Sequence, residues 1–187
     1  MNKHMILATL ISGLALSASA AAPTTILGMP LGGQVKSIRA CTMNEIGRLD
    51  STPLCWIETP ALDKGVRKGT LQIPGSATRP KWAAYARFDA TISKAGVLQR
   101  LAANSHRIED YAEIVSSVSS RFGAPVLARS TGAEPTATWK HPDADIFMLC
   151  TRRYGCSIEF TSPAYAAAQK REAEQQAAKE AARPIAP

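Results

Sequence analysis

The stretch "DIFMLCTRRYGCSIEFTS", Asp145 to Ser162, decides how this chain folds. In its second half Cys156, Ile158 and Phe160 alternate with Ser157, Glu159 and Thr161, the period of two that marks a strand with one buried face. The first half, "DIFMLCT", is apolar on both parities, which reads as a strand that is central in its sheet or covered on both sides. If Cys150 lies opposite Cys156, antiparallel pairing sets Met148 beside Ile158 and Ile146 beside Phe160. A disulfide and the hydrophobic pattern then demand the same register. Thr151 to Gly155 become the tip of a stapled hairpin, with Gly155 free to take the positive φ that short hairpin loops need. Arg152, Arg153 and Tyr154 are the candidate binding residues, against the alternative of a surface hairpin whose arginines only keep the protein soluble. Guanidinium groups meet carboxylate or phosphate in bidentate fashion, and a tyrosine adds apolar contact at low entropic cost.

The disulfide reading depends on the compartment, and the start of the chain supplies it. "MNKHMILATLISGLALSASA" has Lys3 near the terminus, an apolar run from Met5 to Leu16, and small residues at Ala18 and Ala20. That is the layout of a secretory signal peptide, predicted to be cut after Ala20, with Ala21 as the second choice. The run is shorter than the roughly 20 residues a membrane-spanning helix requires. Export to a periplasmic or secreted location favours disulfides, and four cysteines allow three connectivities. Local closure favours Cys41 with Cys55 and Cys150 with Cys156. A structural zinc site would want closer cysteine pairs or finger-spaced histidines, and a thioredoxin-like redox site would want C-x-x-C; neither is present.

Removing residues 1–20 leaves 167 residues (187 minus 20), a length for one hydrophobic core, with residues 21–162 as the domain and 163–187 as a tail. The formal charge of that mature chain is +6 (21 minus 15). In an exported protein such a charge points to an envelope protein or an anionic cell-wall or lipid component rather than to nucleic acid. Basic residues are scattered, with short clusters at Lys64–Lys68, Arg79–Lys81 and Arg152–Arg153.

Upstream of the hairpin, "WAAYARFDATIS" has apolar residues at Trp82, Ala84, Ala86, Phe88, Ala90 and Ile92, which predicts a strand. "KAG" turns the chain into a second strand, "VLQRLAAN". Ile108, Tyr111, Ala112, Val115, Val118 and Phe122 then recur at steps of three and four, predicting a helix with Glu109 and Asp110 in its first turn and Gly123 with Pro125 as its stop. From Thr24 to Pro80 the chain is rich in Gly and Pro and reads as short strands and loops with one helical turn near Thr42–Leu49. The Ala-, Glu-, Lys- and Gln-rich end predicts a helix from Pro163 to about Ala182, either partly detached or a frayed, solvated tail. The fold class expected is therefore α+β: an antiparallel sheet of about four to six strands packed on one main helix. This order resembles small periplasmic accessory domains of bacterial envelope machinery, a likeness of fold that licenses no function.

Little in the chain points to catalysis. After processing, His106 and His141 are the histidines that remain. "HPDAD" gathers His141, Asp143 and Asp145, but Pro-Asp between two strands is turn chemistry, and the trio has no recognised ligand spacing. No G-x-S-x-G is present. No metal or cofactor is expected. Trp56, Trp82 and Trp139 are readable as a ligand platform or as core packing. The sequence thus favours a non-enzymatic envelope-binding or accessory module, in its sharper form a loop-type inhibitor. A small hydrolase whose site one sequence does not reveal is the alternative.

Overall fold

A computed structural model describes residues 24–48, 53–75, 79–132 and 134–182. The predicted signal segment lies outside them. The elements run β1 (Thr25–Ile26), β2 (Met29–Pro30), β3 (Arg39–Ala40), β4 (Cys55–Trp56), β5 (Leu62–Asp63), β6 (Val66–Gln72), β7 (Arg87–Ser93), β8 (Leu98–Ser105), α1 (Tyr111–Phe122), β9 (Leu127–Arg129), β10 (Thr136–His141), β11 (Ala144–Thr151), β12 (Gly155–Thr161) and α2 (Pro163–Ala181).

The expected sheet of four to six strands on one main helix is corrected. Ten strands form one sheet, in the order β3-β4-β6-β7-β8-β12-β11-β10-β9 with β5 on β6, and β1 pairs with β2 apart from it. Two meanders, β6–β8 and β10–β12, meet at their last strands, which pair antiparallel. The connection between the two meanders runs through α1 and β9.

One face of the sheet carries the core. Leu71, Phe88, Ala103, Ile158, Met148 and Ala137 form one row across neighbouring strands, and Ala90, Leu101, Phe160, Ile146 and Trp139 form the next. All of them are buried. Over this face lie α1, the β1–β2 hairpin and a 3-10 turn at Lys81–Ala83, which contribute Ile114, Val118, Ile26, Met29 and Trp82 to the same cluster. Of the predicted helical stripe, Tyr111, Val115, Val118 and Phe122 pack on the core, whereas Ala112 is exposed and Ile114, outside the predicted stripe, is fully buried; Ile108 belongs to a 3-10 turn ahead of α1. Trp82 to Ala86 are likewise not strand; β7 begins at Arg87.

The other face is more polar and only partly covered, with Thr91, Ala102 and Thr161 buried on it. Asp89 accepts hydrogen bonds from Thr70 (2.8 Å) and Asn104 (3.0 Å), and Arg100 pairs with Glu159 at 2.5 Å. Burial raises the Glu159 carboxyl, but the Arg100 guanidinium and the Thr161 hydroxyl outweigh it and hold Glu159 below the usual carboxylate range. Phe147 lies on this face and is half exposed, so β11 is interior to the sheet without being covered on both sides. Helix α2 is capped by the buried Ser162, whose hydroxyl accepts from the Tyr165 N–H at 3.4 Å, with Pro163 opening the helix. No residue of α2 is buried, and no helix among the described residues is long and apolar enough to cross a membrane.

Candidate functional site

Cys150 lies directly opposite Cys156 and is bonded to it, with Met148 opposite Ile158 and Ile146 opposite Phe160. This is the register that the alternation in "CSIEFTS" demands. Both cysteines are buried, so the bridge closes the hairpin from the core side. Beyond it, Arg152, Arg153 and Tyr154 form the turn and are all exposed. The Tyr154 N–H donates to the Thr151 hydroxyl at 3.1 Å, and the Arg153 guanidinium stands 5.1 Å from the Tyr154 ring centroid. The first contact fixes the backbone of the turn; the second keeps an aromatic and a cation side by side.

The tip is also held from behind, which the sequence does not reveal. Gly155 has φ +73° and packs against the backbone that leads from β8 to α1: a Cβ there would collide with the Ser105 carbonyl oxygen and stand 2.5 Å from the Arg107 nitrogen. That second segment is itself fastened. The Ser105 hydroxyl donates to the Asp110 carboxylate and accepts from the Arg107 N–H at 3.2 Å. His106 and Arg107 are exposed at this point, so a second loop brings a histidine and an arginine to the base of the tip. Arg107 stands 3.9 Å from both Glu109 and Asp110, so two carboxylates flank the arginine at the base of the tip.

The other candidate groups are dispersed. His141 and Asp143 sit at the β10–β11 turn, where the Asp143 N–H donates to His141 Nδ1 at 3.3 Å, Phe122 packs edge-on to the imidazole at 5.4 Å, and the Asp143 carboxylate accepts from Thr24 at 2.8 Å. Asp145 faces Lys140 at 2.6 Å. His106 is on the β8–α1 connection, so the two histidines share no site. Among the described residues no three His, Cys, Asp or Glu side chains gather as a metal site would require. The tryptophans are all buried and present no exposed platform. Trp139 donates to the Ser119 hydroxyl at 3.2 Å, tying α1 to β10, whereas the Trp82 indole N–H has no partner among the described residues.

The first disulfide, Cys41–Cys55, belongs to a different kind of structure. It joins the ends of the short parallel pair β3–β4, where the Cys41 N–H donates to Trp56 O at 2.7 Å. The described first half of the loop, residues 42–48, is held by Arg39 and Glu45, by the Thr42 N–H on Glu45 (2.8 Å), and by the buried Gln72 side chain. Gln72 donates to Glu45 O (2.6 Å) and accepts from the Gly47 N–H (2.8 Å). The Arg39 guanidinium and then the Thr42 N–H lower the Glu45 carboxyl to about 2. This region supports the sheet edge, and its described residues bring no reactive groups together. Comparison with family models, curated proteins and solved structures finds no match to this chain.

Proposed function

We propose that the protein is an exported binding or accessory module of the cell envelope that engages an acidic protein surface through the Arg152–Arg153–Tyr154 tip. The observation that carries this reading is the double fixation of the tip, by the Cys150–Cys156 bridge and by the close seat of Gly155 on Ser105–Arg107. A loop that is already ordered loses less entropy when it binds, so its side chains deliver more of their interaction energy as affinity. Two guanidiniums and a phenol on such a support suit insertion into a carboxylate-lined cleft. A wall hydrolase has such a cleft, and inhibition is the specific form of the proposal. The two disulfides and the signal-like start of the chain support an oxidising, extracytoplasmic setting.

The test is a pull-down of the mature protein from envelope extract beside the Arg152→Ser/Arg153→Ser variant, with the two matched in thermal melting. The proposal expects a partner that is retained at low salt, released near 0.5 M salt, where the screening length falls to about 4 Å, and absent from the variant. An unchanged partner list would refute the tip as the site. Turnover of labelled peptidoglycan by the mature protein, surviving in a His106→Ala/His141→Ala variant, would make it an enzyme and overturn the reading.

A further inference from the structure

We propose that the cleft between the β1–β2 hairpin, the 3-10 turn at Lys81–Ala83 and the C-terminal half of α1 is a binding site for a single-chain apolar anion, a hydrocarbon tail bearing one carboxylate. The cleft lies toward the Phe160 end of β12, away from the Cys156 end that carries the tip, and the inference is independent of the tip. Its volume is about 810 Å³, within the range of small-molecule sites. Ile26, Met29, Leu54, Ile73 and Phe160 give it an apolar wall. Its charged groups are of one sign: Arg79 and Arg121 line it, and among the described residues no carboxylate does.

Each of these groups lacks a complement that an anion would supply. Arg79 donates to two carbonyls, Ile73 O at 2.7 Å and Pro74 O at 3.1 Å, and stands 5.2 Å from the Phe88 ring centroid. No carboxylate among the described residues pairs with it, and burial lowers its pKa. Arg121 donates to the Thr25 hydroxyl at 3.2 Å and likewise has no acidic partner among the described residues. Trp82 is only 6 % exposed, and its indole N–H is buried without an acceptor. Buried donors are nearly always paired, and among the described residues this indole N–H, on a residue that lines the cleft, is an exception. Glu113 accepts from the Trp82 backbone N–H at 3.1 Å and is not part of the lining. A neutral apolar ligand would leave the two guanidiniums without a counter-charge; a carboxylate head supplies one while its tail covers the apolar wall.

The experiment uses the mature protein and laurate, below its micellar concentration, read by tryptophan emission and by isothermal titration. The expected result is saturable binding of one laurate per chain, with methyl laurate at least tenfold weaker and dodecylamine without effect. Arg121→Ser, on the exposed rim, should weaken laurate about tenfold at unchanged melting temperature. Ser120→Trp, which places bulk in the cleft mouth from the surface of α1, should abolish binding. If Trp82→Phe melts normally, it should weaken binding and remove the emission change. No saturable binding, equal affinity for the acid and its methyl ester, or full affinity in both Arg121→Ser and Ser120→Trp would each overturn the proposal.

Discussion

The two disulfides of this chain close loops of similar purpose on paper and different consequence in space. Cys41–Cys55 spans a sequence separation of 14 in a region of two-residue strands, where the bridge, Gln72 and the Arg39–Glu45 pair are what hold the backbone. Cys150–Cys156 spans a separation of 6 inside a ladder of seven paired positions. The first therefore substitutes for secondary structure. The second adds rigidity to a loop that secondary structure already positions. A disulfide's contribution depends on what else constrains the segment as well as on loop length.

The comparison breaks most sharply at Gly155. Gly155→Ala combines a positive φ with a backbone collision and should destabilise by about 3 kcal/mol or more. Denaturant unfolding measures this, and a loss under about 1 kcal/mol would show that the tip is not seated on Ser105–Arg107. Next, Cys41→Ser/Cys55→Ser should lower stability by about 3 kcal/mol in the chain-entropy model and strip hydrogen-exchange protection from residues 39–48 and 54–57. Cys150→Ser/Cys156→Ser should remove only about 2 kcal/mol and leave the amides of β11 and β12 protected up to Thr151. If the second variant loses protection along the whole hairpin, the bridge sets the register after all.

The smallest effect is electrostatic and belongs to the first region. Glu45 titrates at about 2 against an ordinary 4.5, because Arg39 and the Thr42 N–H favour its charged form. A folded pKa below the unfolded one stabilises the protein fully above about pH 5 and loses that contribution as pH falls through about 2. Wild type should therefore lose stability between about pH 5 and 2 more steeply than Glu45→Gln. Its side chains are partly exposed, so high salt should shrink the difference.

The two regions also differ in how far the sequence reveals them. Asp145 to Ser162 is legible because strand alternation and cysteine spacing constrain one register twice over. β6 is not: "VRKGTLQ" places Gly69 at a core-facing position, where Pro60 packs against it, and so erases the alternation. Two-residue strands such as β3 and β4 have no period to detect. The segment from Trp82 to Ala86 imitates a strand because alanines at alternate positions satisfy either a strand or a 3-10 turn. Of the site, the tip is legible because its residues are contiguous. Its seat on Ser105–Arg107 comes from a segment some 50 residues away in sequence and leaves no local trace. The cleft is assembled from five such segments, and its most informative feature, an indole N–H without a partner, exists only in three dimensions.

The claim on which the functional reading stands is that the tip is rigid before it binds anything. Backbone 15N relaxation of the free mature protein measures this at Arg152, Arg153 and Tyr154 directly. Order parameters of about 0.85, equal to those of β11 and β12, are the result this account predicts. Values below about 0.6 at those three amides, with the flanking strands still near 0.85, would describe a flexible loop on a firm sheet and would contradict it.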